Sequence, residues 1–276
     1  MSRKQKREKS VQPVIDIVIT TSGRFDMLEK CLASLERESK TTPLRIYIID
    51  NASPSEERIA NEHLFMRSDI LQSKRLTQEV GFSQSNNEGA RMGSAPLIMF
   101  LNDDVELLDG STQEVVNTFV DETVGVVGIK LLFPPTSTSP QRPAGKVQHI
   151  GMAMSMQGMA EHPLVGWSPE HPKACINRDV ICVTGACLTI RRDLFNKVRG
   201  FDTIYGLGTW EDVDLCFKVR SMGKRVYVNT HAVGYHYVGA TAEKKRRPYP
   251  IQQNKLVFQA RWQSTGLMAY TTWEFF

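Results

Sequence analysis

Five apolar residues, Leu97-Ile98-Met99-Phe100-Leu101, run directly into Asn102-Asp103-Asp104, and this junction constrains the chain more than any other segment. Bounded by Pro96, the run reads as a buried strand. The amide and two carboxylates then sit at the strand's carboxyl end, where open α/β sheets bind their ligands. Oxygen ligands on a rigid strand end suit Mg²⁺ or Mn²⁺ held between protein and a diphosphate. A polar turn leaving a core strand is the competing reading, because Asn and Asp favour turns.

The same strand-then-polar-turn pattern recurs upstream. Val14 to Ile19 is β-branched and ends in Thr20-Thr21-Ser22-Gly23. A helix follows, with Met27, Cys31 and Leu35 at i, i+4 beside Leu28 and Leu32. Leu44 to Ile49 predicts a second strand ending at Asp50-Asn51, and Ser53-Pro54-Ser55-Glu56 a helix start, with Ser53 as N-cap and Glu56 closing a capping box. Gly81 to Gly89 begins another helix. This βαβα order predicts an α/β fold with a mostly parallel central sheet flanked by helices. Further on, Val124 to Ile129 and Val180 to Ile190 read as strands, the latter interrupted at Thr184-Gly185. Phe133 to Lys146, with four prolines, reads as a surface loop or lid. Alternation of Met152, Met154 and Met156 suits a half-buried strand, and Glu211 to Met222 a helix stopped by Gly223.

At 276 residues and 41% hydrophobic content the chain can bury a large core. Five basic residues among the first ten, against Glu8, equal the whole formal charge of +4. The rest is neutral, so it lacks the domain-wide basic bias of nucleic-acid binders. Residues 1–12 read as a disordered basic tail. No run approaches the roughly 18 apolar residues of a membrane span, and a soluble, cytoplasmic protein with no integral membrane segment is the expectation. Five cysteines without a C-x-x-C pair argue against disulfides or a zinc ribbon. His171, Cys175, Cys182 and Cys187 could be assembled as a zinc set, but Cys182 and Cys187 lie in an apolar run and read as buried hydrophobes.

Trp210-Glu211-Asp212-Val213-Asp214 forms a second acidic cluster at a helix start. Capping by Thr209 and the helix dipole explain acidic residues there. Three carboxylates in four positions exceed that need, and their repulsion raises a pKa toward that of a useful base. Trp210 offers a flat platform for a sugar ring. A third cluster surrounds His236, set between Tyr235 and Tyr237 and two glycines, as suits a metal-ligating imidazole.

Taken in order, these segments resemble the family 2 glycosyltransferases of the GT-A fold. The resemblance is carried by Ile17 to Ser22, Ile48 to Ser53, Gly81-Phe82-Ser83 through Gly89, and Phe100 to Asp104. It continues through Val183 to Cys187, Gly200-Phe201-Asp202, Trp210 to Asp214 and Tyr235-His236. It spans about residues 14 to 240. It implies one GT-A domain at 13–240, with a Rossmann-like nucleotide-sugar half at about 13–105 and an acceptor half at about 106–240. A helical extension at 241–276 would pack on that domain.

Carried across residue by residue, the resemblance places Thr20 and Asp50 at the nucleoside, with Asp50 accepting hydrogen bonds from the base, and Ser22, Arg24 and Asn51 beside them in the donor site. Asn87, Asn102, Asp103, Gly185 and Trp210 complete the donor site, Gly185 letting backbone approach the sugar. Asn102-Asp103-Asp104 stands for the family's D-x-D motif with Asn first, which leaves Asp104 as the main carboxylate ligand and His236 as the distal metal ligand. Asp212 corresponds to the catalytic base, with Glu211 beside it. The implied reaction is an inverting hexosyl transfer from a nucleoside-diphosphate sugar to an acceptor hydroxyl with Mn²⁺ or Mg²⁺, the acceptor a glycan or other saccharide. Thr20-Thr21-Ser22-Gly23-Arg24 departs from the family's usual first turn, so the base is left unnamed. Three alternatives stand beside this. Nucleic acid enters only as an acceptor, through a hydroxylated nucleobase in DNA, for which Lys244-Lys245-Arg246-Arg247 and the tail are the support. A sugar-nucleotide nucleotidyltransferase would need a glycine-rich first loop, of which only Ser22-Gly23-Arg24 is present. A non-catalytic scaffold would be expected to lack Asp104, Asp212 or His236.

Overall fold

The computed structural model describes residues 12–155, 157–238 and 248–268. Its first half alternates as predicted: β1 (Ile15–Thr21), α1 (Phe25–Glu38), β2 (Leu44–Asp50), α2 (Ser55–Ala60), β3 (Leu71–Arg75), α3 (Phe82–Ala90) and β4 (Leu97–Asn102). Leu28, Cys31, Leu32 and Leu35 form the buried face of α1, each large aliphatic side chain contributing roughly 1.5–3 kcal/mol. The second half adds β5 (Val105–Leu107), α4 (Ser111–Thr118), β6 (Val124–Leu132) and β7 (Val147–His149). It continues with the hairpin of β8 (Ala153–Met154) and β9 (Ala160–Glu161), then β10 (Arg178–Asp179), β11 (Cys187–Arg191) and α5 (Arg192–Lys197). It closes with α6 (Glu211–Ser221), β12 (Arg225–His236) and α7 (Ile251–Trp262).

All but β8 and β9 join one ten-stranded sheet with the path β10-β12-β6-β11-β4-β1-β2-β3. Strands β3, β2, β1 and β4 are parallel, so their carboxyl ends share one edge. Beyond β4 the sheet is mixed: β11 is antiparallel to both β4 and β6, while β12 is parallel to β6. The mostly parallel arrangement expected of the sheet is concentrated in β3-β2-β1-β4, with β12–β6 a further parallel pair. Apolar side chains pack into two clusters, and β4 supplies both, because alternate residues of a strand face opposite sides. Phe100 joins one cluster, Met99 and Leu101 the other.

Local details depart from sequence expectation. Helix α2 begins one residue late, with Pro54 as N-cap, and the Ser53 N–H instead donates to Asp50 Oδ1 at 2.9 Å. Only Cys187–Arg191 of the run 180–190 is strand, with Met152 bridged to Cys182 before it. Met152 and Met154 are both buried, and Met156 lies outside the described residues. Cys182 and Cys187 are buried free thiols, as their apolar run implied, and Cys175 is exposed. No helix among the described residues is long and apolar enough to cross a membrane.

Candidate active site

The register of β1 places Thr20 beside Asn102 of β4 and Thr21 beside Asp50 of β2. Three strand ends thus converge at the mouth of a cleft, the place where open α/β sheets bind their ligands. Thr20, Ser22, Asn51, Asn102, Asp103 and Asp104 line one side, and Glu79, Phe82, Leu207 and Tyr249 are among the residues that close it.

His236 reaches this cluster through strand pairing. The antiparallel β5–β12 register sets His236 opposite Val105, and the Tyr237 N–H donates to the Asp104 carbonyl at 2.9 Å. His236 Nε2 thereby stands 3.2 Å from Asp104 Oδ1, a buried oxygen without a well-aligned hydrogen bond. The other ring nitrogen, Nδ1, is within 3.0–3.1 Å of the Gln148 amide on β7, which orients the ring. Arg24 Nη1 holds Asp104 Oδ2 at 3.2 Å. Burial pushes the Asp104 carboxyl up, but the facing imidazole and the Arg24 guanidinium outweigh it and hold the pKa below the ordinary carboxylate value. Asp103 goes the other way: burial first, then the Asp104 charge, raise it to about 7.

Asp104 Oδ1 and His236 Nε2 fit a small divalent cation. Adjacent ligands of a six-coordinate Mg²⁺, each roughly 2.1 Å from the ion, stand roughly 3 Å apart. No group of three or more His, Cys, Asp or Glu side chains that could hold an ion occurs among the described residues. Remaining coordination positions would fall to substrate oxygens and water, as is usual for Mg²⁺ at phosphate sites.

The acidic turn is built differently from a capped helix. The N-cap of α6 is Trp210, in the left-handed region at φ 73°, with Thr209 before it at φ 78°, and no side chain caps the helix. The Trp210 ring is 6% exposed and packs 4.9 Å from Phe258 of α7, so it is core and not the sugar platform expected of it. Asp212 accepts N–H bonds from Gly185 at 2.7 Å and Val213 at 2.8 Å, while burial raises its pKa. Glu211 Oε2 is buried without a hydrogen-bond partner, and burial followed by the Asp212 charge lifts Glu211 to about 8. Burial opposes charge on both carboxylates, and the two backbone N–H bonds to Asp212 favour its ionised form. Gly185 is packed between Phe82 and Asp212: a Cβ there would lie 3.2 Å from the Phe82 ring and 3.3 Å from Asp212 Cβ.

Two residues expected at the donor are engaged by other partners in the structure. Asp50 is 1% exposed, its carboxylate taken by the Ser53 N–H, Arg58 at 3.2 Å and Arg75 at 3.6 Å. Its neighbour Asn51 faces the cleft, clamping both backbone groups of Val80 at 2.9 Å. Asn87 clamps the Phe201 backbone, accepting at 3.0 Å and donating at 2.8 Å. Five residues beyond Phe82 it lies roughly 140° around α3, whereas Ser85 and Asn86 share the Phe82 face and line the cleft. Helical periodicity within Gly81–Gly89 would have selected those two. Glu79, Leu207, Tyr249 and Gln148 carried no motif signal, because only the folded chain brings them to the cleft or to His236.

A family model described as glycosyl transferase family 2 matches residues 16–199. The chain is 29% identical over 239 residues to the O-antigen biosynthesis protein RfbC of Myxococcus xanthus, covering 83% of this chain and 18% of that protein. It is 26% identical over 247 residues to the uncharacterized protein y4gI of Sinorhizobium fredii, covering 85% of this chain and 26% of that protein. The chain thus spans about a quarter or less of these relatives' lengths. Among solved structures, it resembles GalNAc-T7 with UDP, GalNAc and Mn²⁺ (TM-score 0.69, 14% identity, 94% of this chain, 49% of that one). A mannosyltransferase from Pyrobaculum calidifontis with GDP-Man and Mn²⁺ is also similar (TM-score 0.59, 16% identity, 95% of this chain, 77% of that one).

Proposed function

Because the chain belongs to glycosyl transferase family 2 and has the GT-A fold of nucleotide-sugar enzymes, we propose that it carries out an inverting, divalent-metal-dependent sugar transfer to a saccharide hydroxyl. One observation carries the metal dependence. Among the described residues, none of those lining the cleft is cationic, and Glu79, Asp103 and Asp104 are acidic. A diphosphate cannot bind there unless its charge is offset, and Asp104 with His236 would hold the ion that offsets it. Mn²⁺ or Mg²⁺, when bound, stabilises the negative charge on the departing nucleoside diphosphate. The Mn²⁺ in both solved relatives supports this, and the likeness to an O-antigen biosynthesis protein supports a saccharide acceptor.

Thr20, Ser22, Asn51 and Asn102 hold the nucleoside end of the donor. Arg24 keeps Asp104 ionised, and Gln148 fixes the His236 ring. Asp212 takes the proton of the acceptor hydroxyl while that oxygen bonds to the anomeric carbon and the carbon–phosphate-oxygen bond breaks. Two backbone N–H bonds leave Asp212 with lone pairs for this proton. One base suffices for inversion, and Asp212, whose charged form the Gly185 and Val213 N–H groups favour, is that base.

The test is calorimetry of UDP, GDP, CDP and dTDP with and without Mn²⁺. The wild type binds at least one of them and needs the metal, whereas Asp104→Ala loses metal-dependent binding. Unchanged, Mn²⁺-dependent affinity in Asp104→Ala refutes the metal assignment.

A further inference from the structure

Tyr249 lies beyond the stretch matched by the family model, and its ring is 40% exposed inside the cleft wall. We propose that Tyr249 is a donor-contacting residue whose hydroxyl donates a hydrogen bond to the diphosphate of the nucleotide sugar, held in place by α7. The inference rests on the nucleotide-sugar reading above.

Position is the first argument. Tyr249 lines the same cleft as Glu79 and Asp104, on the side where the Gly208 turn leads to Glu211 and Asp212. Its ring edge also closes against the turn, with Cε1 3.7 Å from where a Cβ on Gly208 would lie.

Chemistry is the second. Carboxylates at neutral pH are acceptors only, and among the described residues none that lines the cleft is cationic. Burial, then the charges of Glu211, Glu79 and Asp104, push the phenol pKa upward, so the hydroxyl keeps the proton it needs to donate.

Anchorage is the third. The Asn254 side-chain amide nitrogen lies 2.9, 2.9 and 3.0 Å from the carbonyl oxygens of Tyr205, Gly208 and Thr209. Arg261 grips Asp214 with two contacts of 2.9 and 3.0 Å, and Trp262 Nε1 donates to the same carboxylate at 2.8 Å. Phe258 is fully buried between Trp210 and Phe217. Helix α7 is thus fastened to the acidic-turn loop, and Tyr249, just before the Pro250 N-cap with its carbonyl accepting from the Ile251 N–H at 2.9 Å, is held close to that anchored end, which limits the ordering cost of binding.

The experiment is calorimetry of Tyr249→Phe with Mn²⁺ and whichever of UDP, GDP, CDP or dTDP the wild type binds, alongside the matching monophosphate. Phe keeps the ring and its packing, and melting curves verify the fold. A lost hydrogen bond to a charged oxygen weakens diphosphate binding roughly tenfold or more, while monophosphate affinity stays within about twofold. Diphosphate affinity equal to wild type overturns the assignment, as does equal loss of both ligands, which would mark a structural role. If the wild type binds none of the four diphosphates, the nucleotide-sugar reading itself fails, an outcome distinct from failure of the Tyr249 contact.

Discussion

Asp212→Asn separates catalysis from architecture, and the structure sets both magnitudes. Each carboxylate oxygen of Asp212 accepts one backbone N–H, from Gly185 and from Val213. An asparagine has one acceptor oxygen, so its NH₂ must face one of those donors. Losing a hydrogen bond to a charged group costs roughly 1.5–3 kcal/mol, partly offset because a buried charge is also removed. The expected net is a loss of about 1–2 kcal/mol, lowering Tm by roughly 2–6 °C. The protein stays folded at 25 °C. Turnover falls much further: without the base, the rate drops on the order of 10²–10⁴, equivalent to roughly 2.7–5.4 kcal/mol of barrier. The assay is single-turnover release of nucleoside diphosphate from the donor with Mn²⁺, water serving as acceptor, because that hydroxyl needs the same base. Donor affinity should hardly move, since the lost interaction acts mainly in the transition state. Near-normal release by folded Asp212→Asn would refute the base assignment.

Glu211 holds a proton up to about pH 8 in the folded state but only to its ordinary 4.5 when unfolded. The folded state therefore binds more protons between these values, and stability falls as pH rises from about 4.5 to 8. Chemical denaturation across that range should show this slope, worth on the order of a few kcal/mol, and Glu211→Gln should flatten it. Gly81→Ala should be severely destabilising, by roughly 3 kcal/mol or more, because its Cβ would sit 1.7 Å from the Gly206 carbonyl oxygen. Backbone cannot swing aside as a side chain can, and a melting temperature close to wild type would contradict that packing.

What was legible in the sequence was periodic or local. Strands β1, β2 and β4 announce themselves because their apolar runs are buried and each ends in a polar turn. Strand β3 escaped because it is an edge strand with Leu71 its single buried residue, so no hydrophobic alternation betrays it. Motif positions located the acidic turn, yet no side chain caps α6: Thr209 and Trp210 adopt positive φ where they meet Asn254 and Phe258 of α7. Asn87 and Ser85 belong to one quoted segment, and helical phase alone decides which faces the cleft.

Period and order along the chain carry the α/β class, while likeness of its motifs to a known family carries the family and the candidates for metal ligand and base. Tertiary structure alone decided that Asp104 and His236 come within 3.2 Å, because the β5–β12 register unites segments far apart in the chain. It likewise turned Asp50 toward two arginines, buried Trp210 beneath α7 and brought Tyr249 into the cleft. Side-chain direction depends on what packs behind each residue, and that is a property of the assembled layers.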